Sequence, residues 1–168
     1  MNPELLNIQA FARNKMNEWG LIEKGWSFAW NTRLSSFGRC RFRRMAISGT
    51  VLLKQIELSS VSMMALSRAE QEDTVLHEIA HALDFETRGT SDHGLIWKQW
   101  AIKVGARPER CKEISNEGRT NLPPSKYILR CPNGHEFARH RRLKHEASCP
   151  KCSPRYDERF KLKVIQNY

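Results

Sequence analysis

The sequence predicts an α+β fold in two parts, a main domain over residues 1–120 and a small module over residues 121–168. Apolar residues recur at helical spacing in the first part, and short β-type runs lie between those stretches. Residues 119–125 are predicted to be a linker, because their paired prolines stop helices and favour extended chain. Three closely spaced cysteines follow this linker, which is typical of a small module that needs more than an apolar core.

The main domain is predicted to begin with a helix and a short sheet. The helix runs from about Pro3 to Trp19 and ends at Gly20. Short runs of β-type composition follow it, at 25–31, 37–40 and 56–59.

A pair of helices completes the main domain. The first is predicted to begin among the acidic and capping residues 70–74, to run for about four turns and to stop near Gly89. The second has Ser91 or Asp92 as its N-cap and Gly105 at its C-terminal cap. Both helices carry an apolar stripe, so each is expected to pack one face on a core.

The run from His77 to His81 has the pattern H-E-x-x-H on the first of these helices. Two histidines four residues apart lie on one helix face, where their ring nitrogens can converge on one metal ion. Glu78 points about 100° away and can reach an attacking water rather than the metal. The motif therefore predicts a zinc hydrolase site with Glu78 as general base. The alternative is a pair of polar-face histidines satisfied by solvent, Asp73 or Asp84.

A catalytic zinc usually has three protein ligands, so the motif requires a third. His93 is favoured, because it lies in the first turn of the predicted second helix and can point back at the histidine pair. Asp92 is the nearest competitor, and Glu109 or Glu113 would serve if the second helix ran differently.

Several separate segments of the chain resemble the SprT-like (Spartan) family of zinc metalloproteases. These segments are 25–31, 37–40, 56–59, 72–83 and 92–94 with Trp97. A metzincin would require Gly and His where this chain has Asp84 and Thr87, so that class is excluded. The resemblance implies a small zincin-like metalloprotease domain with an N-terminal helix, a short sheet and an active-site helix pair. Residues 45–53 look like an insertion between two of the strands.

The family roles fall on residues that match its motif. The resemblance implies that His77, His81 and His93 bind the catalytic zinc and that Glu78 is the general base. It also implies a zinc-dependent endopeptidase whose substrates are proteins bound or crosslinked to DNA.

The second cluster of metal-type side chains lies near the C-terminus. Cys131 precedes the pair Cys149 and Cys152 at a spacing that is typical of a zinc ribbon, to which the resemblance extends. Gly134 stands where a second cysteine would be expected. His135 is the favoured replacement in a structural Cys3His site, with His140 and His145 as rivals. A short hairpin is predicted around Tyr127–Leu129 and Phe137, with a returning strand at 160–165.

The positive charge is concentrated in the C-terminal module. Residues 1–120 have 17 basic against 14 acidic side chains, whereas residues 121–168 have 11 against 4. Four basic residues lie between His135 and Cys149, the inner members of the two ligand pairs, and are predicted to contact a phosphate backbone. These residues are Arg139, Arg141, Arg142 and Lys144. A second basic cluster lies in the main domain, at Arg39, Arg41, Arg43 and Arg44. The alternative for either cluster is a solvated surface.

These observations predict a DNA-associated protease that holds one catalytic and one structural zinc. DNA binding should be weakly sequence-specific, and Tyr127, Phe137 and Tyr156 offer rings for stacking on unpaired bases. The sequence contains no run of 18 apolar residues, and its start lacks a signal-peptide pattern. We therefore expect a cytoplasmic, nucleoid-associated protein without a membrane partner. Two other classes stay open, a non-catalytic zinc-ribbon DNA-binding protein and a zinc hydrolase of another substrate.

Overall fold

The computed structural model describes residues 2–45, 47–109 and 123–167. The chain divides into two compact units, residues 1–122 and 123–168, called here the N-terminal unit and the C-terminal unit. Helices and strands are combined in an α+β fold, as predicted. Part of the predicted linker, together with Cys111 and Glu113, lies outside the described residues.

The N-terminal unit contains the four helices of the described chain. They are α1 (Pro3–Glu18), α2 (Ser60–Met63), α3 (Arg68–Arg88) and α4 (Leu95–Val104). Helix α1 agrees with its prediction to within one residue, because both of its ends have strong local signals. The Asn2 side chain accepts a hydrogen bond from the backbone of Glu4, and Pro3 occupies the first helical position. Gly20, with φ 64°, follows the last turn.

Helix α3 is longer than predicted, about six turns rather than four. It begins at Arg68 because Ser67 and Glu70 form a capping box. The acidic residues on which the predicted start was based therefore belong to its first two turns. The helix ends at Arg88, and Gly89, with φ 74°, is its C-cap, so the helix stops near Gly89 as predicted.

Helix α4 begins later than predicted, at Leu95 with Gly94 as its N-cap. The Asp92 carboxylate accepts a hydrogen bond from the backbone N–H of Gly94 at 2.6 Å, so residues 92–94 form a turn in front of the helix. His93 consequently lies on the connection rather than in the first turn. The C-terminal cap is Gly105, as predicted.

The sheet of this unit has three strands in the order β1-β3-β2. They are β1 (Ser27–Asn31), β2 (Gly38–Arg44) and β3 (Val51–Ser59), with β1 parallel and β2 antiparallel to β3. The expected insertion at 45–53 supplies the β2–β3 turn and the first residues of β3. The pairing of Cys40 with Ile56 settles the register, which shifts once, between Arg43 and Arg44.

The core of the N-terminal unit lies between the sheet and the helices. The stripe of Val75, Ile79 and Leu83 on α3 is buried, as its spacing predicted. The Phe42 ring of β2 stacks on the Phe85 ring of α3 with ring centroids 4.1 Å apart. This contact holds β2 beside the helix that carries the H-E-x-x-H motif.

The C-terminal unit is a small antiparallel sheet with strand order β5-β4-β6. Its strands are β4 (Tyr127–Arg130), β5 (Glu136–Arg139) and β6 (Lys163–Gln166), and a 3-10 turn covers Glu158–Phe160. The hairpin and the returning strand therefore both form, as predicted. Among the residues that the structure describes, no helix combines the length and apolarity needed to cross a membrane.

Candidate metal centres

The three predicted histidines of the N-terminal unit meet at one point. The Nε2 atom of His93 lies 3.1 Å from Nε2 of His81 and 3.3 Å from Nε2 of His77. Tetrahedral zinc with Zn–N bonds of about 2.05 Å separates its nitrogen ligands by about 3.3 Å. The spacing of the three ring nitrogens therefore suits a single zinc ion.

Two elements and their connection produce this convergence. His77 and His81 lie one turn apart on α3, and the connection after Gly89 returns His93 to them. The connection is held by Asp84, which is fully buried, binds Arg88 through both oxygens at 2.6 Å and accepts the backbone N–H of Asp92. These bonds fix the path of the chain just before His93.

The competing ligands have other partners. Asp92 accepts the backbone N–H of Gly94 and pairs with Arg88; the backbone hydrogen bond, followed by the bond from Arg88, lowers the pKa of its carboxyl. Asp73 accepts hydrogen bonds from the backbone N–H and the guanidinium of Arg107. Among the described residues, the potential ligand atoms gathered at this point belong to His77, His81 and His93.

Ser91, which the sequence offered only as a helix N-cap, supports one of the histidines. The Oγ atom of Ser91 lies 2.8 Å from Nδ1 of His81. A tautomer with hydrogen on Nδ1 donates to Ser91 and leaves the Nε2 lone pair facing the other rings. Trp97 is fully buried, and its ring centroid lies 4.6–5.1 Å from the centroids of all three imidazoles. Trp97 therefore forms part of the core beneath the site.

The electrostatics of the cluster favour a neutral imidazole at His81. Burial, followed by the proximity of His77 and then of His93, lowers the pKa of His81 to about 3. A neutral imidazole is the form that binds a metal ion. His81 therefore presents a lone pair rather than a proton at physiological pH.

Glu78 lies in a cleft of about 530 Å³ that the three histidines also line. Its side chain is buried, and the far wall of the cleft is formed by the start of β2. Gly38 is in contact with the carboxylate, since a Cβ atom there would lie 2.7 Å from Oε1 of Glu78. Burial, and then the charge of Glu78, raises the pKa of the nearby Cys40 thiol. The cleft thus holds a carboxylate beside the histidine cluster, with a neutral thiol near it.

The second cluster lies in the C-terminal unit and has three sulfurs and one nitrogen. The Sγ atoms of Cys131 and Cys152 are 3.6 Å apart, and Nδ1 of His135 lies 3.5 Å from Cys149 Sγ and 3.4 Å from Cys152 Sγ. Zn–S bonds of about 2.3 Å predict S···S and S···N separations of about 3.8 and 3.6 Å in a tetrahedral site. His135, rather than His140 or His145, therefore completes the group.

Local turns position these four side chains. Cys131 and Cys149 each begin a tight turn, closed by the N–H groups of Gly134 and Cys152 respectively. Gly134 has φ 82°, a left-handed conformation that a side chain disfavours. The position where a second cysteine was expected is thus a turn glycine, and the next residue supplies the ligand-type atom.

The basic residues predicted to bind DNA are exposed in the C-terminal unit. Arg139 ends β5, and Arg141, Arg142 and Lys144 lie in the following connection. Arg139 is paired across the sheet with Tyr127, so a guanidinium and an aromatic ring are neighbours on one face. Lysines lie over two of the proposed stacking rings, Lys126 over Tyr127 and Lys151 over Phe137. Tyr156 is 53% exposed and donates its hydroxyl hydrogen to Glu158.

The SprT-like family model matches residues 8–123, which is more than half of the chain. The chain belongs to the SprT-like family. This membership identifies a metalloprotease-like domain in the N-terminal unit and, with the two clusters, indicates zinc as the metal. The SprT-like match stops before the C-terminal cluster, whose donor set is consistent with a zinc-ribbon module. A comparison with the curated proteins found no match.

Proposed function

We propose that this SprT-like protein is a zinc-dependent endopeptidase that acts on proteins bound or crosslinked to DNA. The observation that carries the proposal is the meeting of three imidazoles and a buried carboxylate in one open cleft. His77, His81 and His93 would hold the catalytic zinc, because the spacing of their Nε2 atoms and the lowered pKa of His81 fit it. When bound there, zinc supplies a Lewis acid that acidifies water and polarises a carbonyl group.

Glu78 is the general base in this proposal. Glu78 lines the same cleft as the three histidines and is not one of the ligand atoms gathered there, so its carboxylate is placed to take a proton from an attacking water. Glu78 accepts the water proton at a carboxylate oxygen and then delivers it to the departing amine nitrogen. Gly38 leaves the space in which that carboxylate lies.

The C-terminal unit supports the choice of DNA as the partner. Cys131, His135, Cys149 and Cys152 form a Cys3His donor set, which would hold a structural zinc and stabilise a module too small to fold on its apolar core alone. The module presents an exposed basic connection next to the cross-strand pair of Tyr127 and Arg139. Such a surface suits a phosphate backbone and the faces of unpaired bases. Bringing the protease to DNA would select substrates by their location.

The first test is cleavage of a DNA-binding protein by the zinc-loaded chain, with and without DNA, beside Glu78→Gln. We expect the variant to keep its zinc and to cleave about 10²- to 10⁴-fold more slowly, because the amide cannot accept the water proton. Cleavage by Glu78→Gln at the wild-type rate would refute the assigned base. Hydrolysis of small amides at a rate that does not depend on DNA would instead support a different zinc hydrolase. Zinc binding without any hydrolysis would support a non-catalytic binding protein.

The second test addresses DNA binding by the C-terminal unit. Arg141→Glu with Arg142→Glu should weaken DNA binding and flatten its salt dependence, because two phosphate contacts are replaced by repulsion. Zinc content should stay the same, since neither arginine belongs to the ligand cluster. The measurements are fluorescence anisotropy over a salt series and metal analysis. Unchanged affinity at low salt would place the DNA surface elsewhere.

A further inference from the structure

A second basic surface lies on the sheet of the N-terminal unit. Phe42 stacks on Phe85 of α3, so its side chain points towards the core. Side chains alternate along a strand, and Arg39, Arg41 and Arg43 therefore point to the opposite face. Their side chains follow one another at about 6.8 Å, twice the rise per residue of an antiparallel strand.

This arginine row presents positive charge to solvent. Arg39 and Arg43 are exposed, and neither forms an ion pair within the part of the chain that the structure describes. Arg41 pairs with Glu57, a carboxylate with 8% side-chain exposure that also accepts from Asn31. On the opposite face of the sheet, which faces the core, Lys54 forms an ion pair with Glu86 and the Arg44 guanidinium lies over the Phe85 ring. The exposed face of β2 is therefore cationic.

The arginine row continues into the catalytic cleft. A groove of about 560 Å³ is lined by residues 39–43 of β2 and by Leu52 and Leu53 of β3. Arg39 lines this groove and also the cleft that contains Glu78. A polyanion lying in the groove would pass the mouth of the cleft.

Apolar side chains lie beside the arginines. The shift in register between Arg43 and Arg44 takes Leu52 out of the strand pairing, and its side chain is 50% exposed. In the adjoining turn, Met45 is 46% exposed and Ile47 is 99% exposed. The faces of unpaired bases can contact such side chains, whereas a duplex keeps those faces stacked and offers mainly phosphates.

We propose that the arginine row of β2, with the apolar side chains of the β2–β3 turn, binds single-stranded DNA at the mouth of the catalytic cleft. This inference rests on the proposed function and extends it. The C-terminal unit would provide one contact with DNA, and the arginine row would provide another on the unit that carries the protease site. A protein attached to the strand would then be held within reach of the cleft.

The test is the affinity of the full, zinc-loaded chain for a fluorescein-labelled oligothymidylate, measured by anisotropy over a salt series. It is made in an Arg141→Gln/Arg142→Gln background, which reduces the proposed contribution of the C-terminal unit. Arg43→Gln should raise Kd by about 2- to 5-fold at low salt, as expected for one exposed ion pair. It should also reduce the slope of log K against log salt by about 0.7, the value for one phosphate contact on a single strand.

Matched variants distinguish an effect of this particular surface on DNA affinity from an effect of the total charge of the protein. Arg13→Gln removes an exposed arginine from α1 and should leave Kd and slope unchanged. Arg43→Lys should retain the slope, because a lysine also binds phosphate as a point charge.

Equal effects of Arg43→Gln and Arg13→Gln, or no effect of Arg43→Gln, would overturn the proposal. Equal competition by duplex DNA would overturn the single-strand assignment, and displacement by an acidic peptide but not by oligothymidylate would assign the surface to protein. Because anisotropy needs no cleavage, failure of the protease proposal would not be mistaken for failure of this one.

Discussion

At the scale of single residues, the position of the candidate base, Glu78, depends on the absence of a side chain at Gly38, across the cleft. Gly38 begins β2, and a Cβ atom there would lie 2.7 Å from Oε1 and 2.8 Å from Cγ of Glu78. The Glu78 carboxylate is the far end of a flexible side chain, so it would move before the backbone did. The glycine therefore controls where the carboxylate lies more than it controls the stability of the fold.

Gly38→Ala should consequently impair cleavage while leaving zinc content unchanged. A base displaced by about 1 Å can lose roughly 10²-fold in rate, because proton transfer requires hydrogen-bond reach. The measurement is kcat/KM on a protein substrate beside metal analysis. In a Glu78→Gln background the same glycine change should have no further effect on the residual rate, since the base is already absent. A Gly38→Ala enzyme with the wild-type rate would show that the carboxylate tolerates the methyl group.

At the scale of elements, α3 owes its length and position to its first cap. The Glu70 carboxylate accepts the backbone N–H of Ser67 at 2.7 Å, and the Ser67 side chain in turn caps the backbone of Glu70. The cap fixes where the helix begins, some ten residues before His77. The backbone phase of α3 then determines that His77 and His81 face the connection to α4.

Loss of this cap should destabilise the N-terminal unit without removing a ligand. Ser67→Ala is expected to lower the free energy of unfolding by about 1 kcal/mol, the usual cost of an N-cap truncation. Ser67→Asp should retain most of the stability, because aspartate accepts the same backbone hydrogen bond. Denaturant unfolding of the zinc-loaded chain, followed by circular dichroism, gives both values. Equal stabilities for the alanine and aspartate variants would show that the capping box contributes little.

At the scale of the whole molecule, two compact units each contain their own group of metal-type side chains. The N-terminal unit has an apolar core between its sheet and helices, whereas the small sheet of the C-terminal unit has few fully buried apolar side chains among its described residues. The buried apolar side chains described in this unit are those of Leu129, Cys131 and Cys149. Metal binding should therefore contribute much more to the folding of the C-terminal unit than to that of the N-terminal unit.

Cys149→Ser tests this difference between the units. The variant should lose one zinc ion and the hydrogen-exchange protection of β4, β5 and β6, because a ligand at the centre of the small module is gone. Protection of α1 and α3 should stay at the wild-type level. Ser153→Ala, a change in the same turn region that removes no ligand-type side chain, is the control. Undiminished protection in the C-terminal strands of Cys149→Ser would show that the module folds without its metal.

Much of this protein was predictable from short-range sequence signals. The family was predicted from the resemblance of several short segments. The α+β class and the helix carrying the motif follow from local spacing, since an i, i+4 pair and an apolar stripe are properties of one element. Gly89 and Gly105, the glycines that end α3 and α4, were predictable for the same reason. The start of α3 was misplaced because an acidic cluster resembles a first turn, while the capping box lies just before it.

Contacts between distant residues required the tertiary structure. Asp92 and His93 are neighbours in the sequence, and only the bonds of Asp84 and Arg88 show which of them faces the histidine pair. The space that Gly38 leaves for Glu78 joins residues forty positions apart, and no local pattern encodes such an approach. The sequence by itself thus determined the types of side chain and the elements that carry them, because spacing along one element is local. Packing between elements decided which of those side chains meet.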